Sequence, residues 1–189
     1  MKISKEKAAE NRQALIEAAS RLFKEKGIDG VGVAEISKAA GLTHGALYAH
    51  FSSKDELAAE AMGYNAAQAR ERLYSTPRTL EQVMDFYLSG SQRDNLSGGC
   101  AMAAAASEVA RQDEAVSGKF REGYLQMVRF VEKELGGKLG DEEAHARALT
   151  IVAAMVGGVA VSRSVMKSDL ALSDEILAAM RKVIGELAQ

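Results

Sequence analysis

The chain has 189 residues, 47 % of them hydrophobic and 26 % charged, with a net charge of −2 at neutral pH. That length suits one domain, or a small domain fused to a larger one, with enough chain to bury a core. The charge excludes a uniformly basic nucleic-acid binder, and the single cysteine, Cys100, excludes an intramolecular disulfide and points to a reducing compartment.

Proline occurs once, at Pro77, and tryptophan is absent. Runs such as AAQARERL and AMAAAASEVARQ are rich in good helix formers, and alternating β-branched strands are missing, so the fold class is all-α. The charge is unevenly spread. Residues 1–55 hold nine Lys/Arg against seven Asp/Glu, leaving 15 against 19 in the rest: a weakly basic head on an acidic body. The leader MKISKEKAAENRQ is charged and has no apolar core, so no signal peptide is read there. The longest apolar run, Ala148 to Val161, is too short to span a bilayer. A cytoplasmic protein with no membrane partner is the expectation.

The first helix is expected to follow the basic leader and end at Gly27, with Leu15, Ala18, Ala19, Leu22 and Phe23 on its buried stripe. Lys2, Lys5, Lys7 and Arg12 ahead of that stripe read as a weakly phosphate-binding arm. A short second helix, about Val33 to Ala40, is broken by Gly41. Thr43 can cap a third, about His44 to His50, and Ser53 can cap a fourth that runs on to about Tyr74. LEQVMDFYLSG reads as helix five, SQRDNLSGG as a loop, and CAMAAAASEVAR as helix six. Helices over about Glu114–Leu135, Asp141–Val165 and Ser173–Ala188 complete the chain. The boundary between head and body falls near residue 55, giving parts 1–55 and 56–189 that share the fourth helix.

Two short helices joined by a glycine-containing turn, after a longer helix, form a helix-turn-helix. The second of these must enter a DNA groove, so its outward face needs small or polar groups. His44, Gly45, Ala46 and Ala49 supply them, while Leu42, Leu47 and Phe51 face inward. Tyr48 reads as packed in the core with its hydroxyl reaching a phosphate. Lys54 sits unfavourably at a positive helix end, which a phosphate partner would explain. His50 can contact phosphate or cap the helix. His44 and His50 lie six apart with no third ligand nearby, so a metal is not expected.

The stretch ALIEAASRLFKEKGIDGVGVAEISKAAGLTHGALYAHFSSKDEL resembles the DNA-binding domain of TetR-like transcriptional regulators. The shared pattern is an Ala-Gly turn, a short helix closing in Tyr-x-His-Phe, then a Lys leading helix four. The resemblance implies about nine helices, a homodimer on a palindromic operator in double-stranded DNA, and a small-molecule effector bound in the C-terminal body. It places Gly32, Val33, Thr43, His44, Gly45, Ala46, Tyr48, His50 and Lys54 at the DNA. The family often carries threonine where this chain has Gly32, so a hydroxyl is missing there, although glycine is an acceptable cap.

In the body, Met62, Gln68, Tyr87, Cys100, Met102, Tyr124 and Met127 are the candidate effector-pocket residues, adaptable methionines and polar-tipped groups suited to an apolar or aromatic ligand. The last two helices read as a dimerisation pair through Ala154, Gly157, Gly158, Val161, Ile176, Met180 and Val183. Cys100, opening a helix, reads first as a small buried hydrophobe and second as a sensor of electrophiles or oxidants. A third alternative is an architectural DNA binder without effector. No nucleophile–base–acid spacing is visible, so neither an enzyme nor a cofactor is expected, and His145 reads as exposed or at the dimer edge.

Overall fold

The computed structural model describes residues 4–75, 78–136 and 139–189. Lys2 therefore lies outside the described residues. Among the described residues ten helices follow in order: α1 (Lys5–Lys26), α2 (Val33–Ala39), α3 (His44–Tyr48), α4 (Lys54–Tyr74), α5 (Leu80–Tyr87), α6 (Gly90–Asp94), α7 (Ala101–Val109), α8 (Glu114–Leu135), α9 (Asp141–Val165) and α10 (Leu170–Leu187). Among the described residues there is no strand, only an isolated bridge between Gly136 and Leu139.

Local chemistry sets most boundaries. Side chains of Ser4, Ser53, Thr79, Asp113 and Asp169 accept backbone N–H groups in the first turns of α1, α4, α5, α8 and α10. Gly27 (φ 81°) and Gly41 (φ 70°) take the left-handed backbone that stops α1 and turns the chain after α2. The basic leader is no arm: Lys5, Lys7 and Arg12 are part of α1. Lys7 pairs with Glu10, and Arg12 lies 4.8 Å over the Phe51 ring while reaching Glu60 at 3.3 Å.

One helix beyond those expected, α6, occupies the stretch read as a loop. Its five residues are too few to hold themselves helical. Two arginines hold them instead. Arg93 is 5 % exposed and donates to Ser173 Oγ at 2.9 Å and to Asp94 and Asp174. Arg163, from α9, donates to the carbonyls of Arg93 and Gln92 at 3.0 and 2.9 Å. The final helix also begins earlier than the sequence suggests, because Asp169 caps it.

Two clusters of buried side chains form the interior. The first joins Leu15, Leu22, Ile36, Leu47 and Phe51 of the head to Leu57–Met62 of α4, and also takes in Ala105, Val109 and Val116 from the body. The second is built around α8, α9 and α10. α9 is long and apolar enough, by length and composition, to cross a membrane. Its apolar residues Ala148, Ile151, Val152 and Met155 are instead fully buried in that second cluster, the pattern of a core helix.

Gly158 shows how closely α9 and α10 approach. A Cβ there would lie 3.0 Å from Met180 Cγ and 3.4 Å from Leu88. Gly118, in α8, has open space at the same position. Gly158→Val should therefore lower unfolding stability by about 1–3 kcal/mol through overpacking, whereas Gly118→Ala should raise it by about 0.5–1 kcal/mol. Urea denaturation of both variants checks the pair.

Candidate nucleic-acid interface and internal cavity

The helix-turn-helix is α2, the Gly41 turn and α3. Leu47 and Phe51 anchor α3 with 0 % and 2 % exposure, and Leu42 is half-buried against the same cluster. The opposite face is bare. His44, Gly45, Tyr48 and Ala49 are exposed, and Ala46 is half-buried beside them. Tyr48 differs from the sequence expectation: it is 56 % exposed rather than packed in the core, because the inward position of this short helix is filled by Leu47. Its ring meets His44 edge-on, with centroids 5.9 Å apart. His50 lies beyond the end of α3, where Ala49 is the capping residue, and is half-buried.

Thr43 and Gly32 hold the N-cap positions of α3 and α2, and neither supplies a side-chain cap. Thr43 is exposed. A Cβ at Gly32 or Gly45 would meet nothing within 4 Å, so internal packing requires glycine at neither position. Val33 is half-buried against the head's core.

Lys54 opens α4 and is positioned by a tight local clasp. Ser53 Oγ accepts the Glu56 N–H at 3.0 Å, and Glu56 Oε2 accepts the Ser52 hydroxyl and N–H at 2.7 and 2.6 Å. Those hydrogen bonds, the hydroxyl's first, hold the Glu56 carboxyl below its usual range.

Further along α4 the chain walls a cavity of about 140 Å³ with α5, α7, α8 and the Gly98–Gly99 segment. Met62, Tyr87, Cys100, Met102 and Met127, five of the seven candidates named from the sequence, line it. Two expected residues do not. Gln68 is exposed on the flank of α4 and does not reach the cavity, whose face follows Met62, Asn65, Ala66, Ala69 and Leu73 at three- and four-residue spacing. Tyr124 turns away and donates its hydroxyl to the Leu149 carbonyl at 2.8 Å. Phe120, Leu73 and Phe86 take the apolar contacts instead, Phe86 being 48 % exposed. Periodicity along α4 and α8 carries that signal, but only once one knows which faces meet.

Cys100 lies in this wall and accepts the Tyr87 hydroxyl at 2.7 Å. Burial first, and the neighbouring thiol second, push the Tyr87 hydroxyl well above its usual range, so it stays a donor.

The cavity wall is tied to the head at three places. α4 runs unbroken from Lys54 to Tyr74. Asn65, on the wall, accepts a hydrogen bond from Ser20 of α1 at 2.7 Å. α7 begins at the cavity, and its Glu108 accepts the Asp29 N–H at 2.7 Å in the loop before α2.

On the α9–α10 surface, Val161 and Val183 are 51 % and 54 % exposed, and Gly157 faces open space. Gly158 and Met180 differ from the expectation of a dimer contact, because they pack on each other within the protomer. Ala154 and Ile176 are half-buried, Ala154 against the second core cluster. His145 is exposed and pairs with Glu132. Among the described residues no group of His, Cys, Asp and Glu is arranged to hold a metal.

Among the described residues, an all-helical body with a cavity carries a bare helix-turn-helix face, the architecture of a DNA-binding regulator. Residues 15–61 match the family model for bacterial regulatory proteins of the tetR family. Residues 78–174, slightly more than half the chain, match that for the C-terminal domain of LmrA/YxaF-like transcriptional regulators. The chain belongs to the TetR family of DNA-binding transcriptional regulators. It is 44 % identical over 57 residues to the HTH-type transcriptional regulator AcrR of Shigella flexneri, a stretch covering 30 % of this chain and 26 % of AcrR. It is 32 % identical over 82 residues to the transcriptional repressor KstR2 of Mycobacterium tuberculosis, covering 41 % of each. These matches thus span well under two thirds of either relative. The structure of E. coli NemR in its reduced form superposes with a TM-score of 0.75 at 18 % identity, covering 93 % of this chain and 95 % of that one, a likeness of fold.

The clasp at the start of α4 has a pH consequence. A carboxyl depressed in the folded state adds stability above its unfolded value, and that stability is lost as pH falls through the folded value. Between about pH 5 and about pH 3, the wild-type protein should lose more thermal stability than Glu56→Gln. Melting curves across that range check it.

Proposed function

We propose that the protein is a dimeric repressor, acting in the cytoplasm, that leaves a palindromic operator when a small apolar or aromatic effector fills the cavity. The observation that carries this reading is the shared wall: α4 and α7 both line the cavity and both reach the head. An effector that fits one arrangement of those helices better than another shifts the head by its difference in affinity, and no further.

In this reading α3 lies in the major groove. His44, Gly45 and Ala46 approach base edges, while Tyr48, Thr43, His50, Lys54 and the start of α2 at Gly32 and Val33 meet the backbone. The unforced glycines at 32 and 45 support close approach of backbone to DNA. Two copies meet through the exposed faces of α9 and α10, with Gly157, Val161 and Val183 at the seam and Ala154 and Ile176 flanking it. A two-fold axis there matches an operator's symmetry.

The tests separate readout from anchoring. On an operator selected from random DNA, Lys54→Ala should weaken all sites alike and reduce the slope of log affinity against log salt by about 1. His44→Ala should change which bases are preferred while leaving that slope unchanged. Fluorescence anisotropy over a salt series reads both, and an unchanged Lys54→Ala at every salt concentration would remove Lys54 from the interface. Glu108→Ala should preserve operator binding in the absence of effector but blunt effector-driven release.

A second reading uses Cys100 as the sensor, favoured by its place in the cavity wall under the Tyr87 hydroxyl. It requires Cys100→Ser to bind DNA and to resist release by electrophiles. Normal release in that variant removes this reading. The cavity weighs against an architectural binder without effector.

A further inference from the structure

The charge around the cavity is one-sided. Its wall includes four cationic side chains, Arg70, Arg72, Arg78 and Lys119, and among the described lining residues no Asp or Glu. Lys119 has a carboxylate neighbour, Glu122, at 3.0 Å. Among the described residues Arg70, Arg72 and Arg78 pair with no carboxylate, and Arg78 lies 5.4 Å over the Phe86 ring. In a chain of net charge −2 with an acidic body, that segregation is not what composition alone would give.

Two more cations, Arg163 and Lys24, stand behind the wall without lining it. Arg163 presses against the wall at Gly99, where a Cβ would lie 2.4 Å from its Nη2 atom; only a residue without a side chain fits. Lys24 is held below its usual range by burial first, with the positive charges of Arg72 and Arg163 adding to it. α7 begins at this point with no side chain accepting its first N–H groups. Beside these cations the wall is apolar, formed by Met62, Leu73, Val83, Phe120 and Met127. Guanidinium groups without carboxylates, next to an apolar slot, are suited to a ligand with an oxyanion at one end.

We infer that the cavity selects amphipathic anions, an aromatic or aliphatic body carrying a carboxylate, sulfonate or comparable oxyanion, with Arg70 and Arg72, exposed on opposite flanks of α4 at its wall, supplying the positive field that draws the charged end. This rests on the cavity being the effector site and adds the class of ligand. Neutral and cationic ligands of the same shape are selected against: a neutral one forgoes the charged contact, and a cation would add a fifth positive charge to the wall.

Two fluorescent probes with the same aromatic body test it on the full-length protein: anilinonaphthalene sulfonate, which is anionic, and phenylnaphthylamine, which is neutral. The anion should bind roughly tenfold more tightly, an advantage that shrinks with added salt. The double variant Arg70→Gln, Arg72→Gln should abolish the advantage and leave the neutral probe's affinity unchanged, while Arg70→Lys, Arg72→Lys should keep most of it. Equal or tighter binding of the neutral probe, or an advantage that survives the Gln variant, overturns the inference. Ala69→Phe, which fills the cavity from an exposed position on α4, distinguishes the two levels. If it excludes both probes while the anion shows no advantage, the cavity is the site and the inferred ligand class is wrong. If it excludes neither, or if neither probe binds saturably, the cavity reading itself fails, and the inference with it.

Discussion

One helix belongs to both interiors of this protein, and most of its behaviour follows from that. The first half of α4, Leu57 to Met62, is locked into the core beneath the helix-turn-helix. Its second half lines the cavity of the body. A well-formed α-helix transmits displacement along its axis because its backbone hydrogen bonds resist compression. The close-packed core around its first half leaves few arrangements to adopt. A change at Ala69 or Leu73 therefore cannot be absorbed locally without cost. The Ser52–Glu56 clasp fixes the far end, so the chain leading into α4 moves with it.

α7 supplies a second, shorter route. It begins at Cys100 in the cavity wall and ends where Glu108 holds the Asp29 N–H. The head thus rests on two struts from one wall, and the half-buried hydrogen bond from Ser20 to Asn65 of α4 adds a third contact. Three contacts from one cavity to one small head make the two sites hard to move independently. α6, clamped by Arg93 and Arg163, ties the segment before α7 to α9 and α10.

The head was largely legible in the sequence because its signals are local. Gly41, Ser53, the Leu47–Phe51 spacing and the small residues of α3 each state their own role, and α8 and α9 follow from unbroken apolar stripes. Tyr48 was misread since a five-residue helix has one inward position, and Leu47 takes it. α6 could not be read from its own residues, because it is held by Arg163, 70 positions from Arg93, and by the reach of Arg93 to Ser173 and Asp174. Gln68 and Tyr124 were misplaced for a related reason. Which face of α4 or α8 meets a cavity depends on how the helices pack, and polar residues on a helix fit a solvent face as well as a pocket. The unpaired arginines carry no local signal at all; only the folded chain shows that no carboxylate reaches them.

The proposed repression depends on one coupling, between occupancy of the cavity and grip on DNA. Linkage makes it measurable from either side, since a ligand that weakens operator binding must itself bind less tightly to the DNA-bound protein, by the same factor. The direct measurement is the affinity of anilinonaphthalene sulfonate for the free protein and for the protein saturated with its selected operator. The account predicts weaker probe binding to the operator complex, by the factor with which saturating probe weakens operator affinity. Equal affinity in the two states would show that the cavity and the helix-turn-helix are independent, and would contradict it.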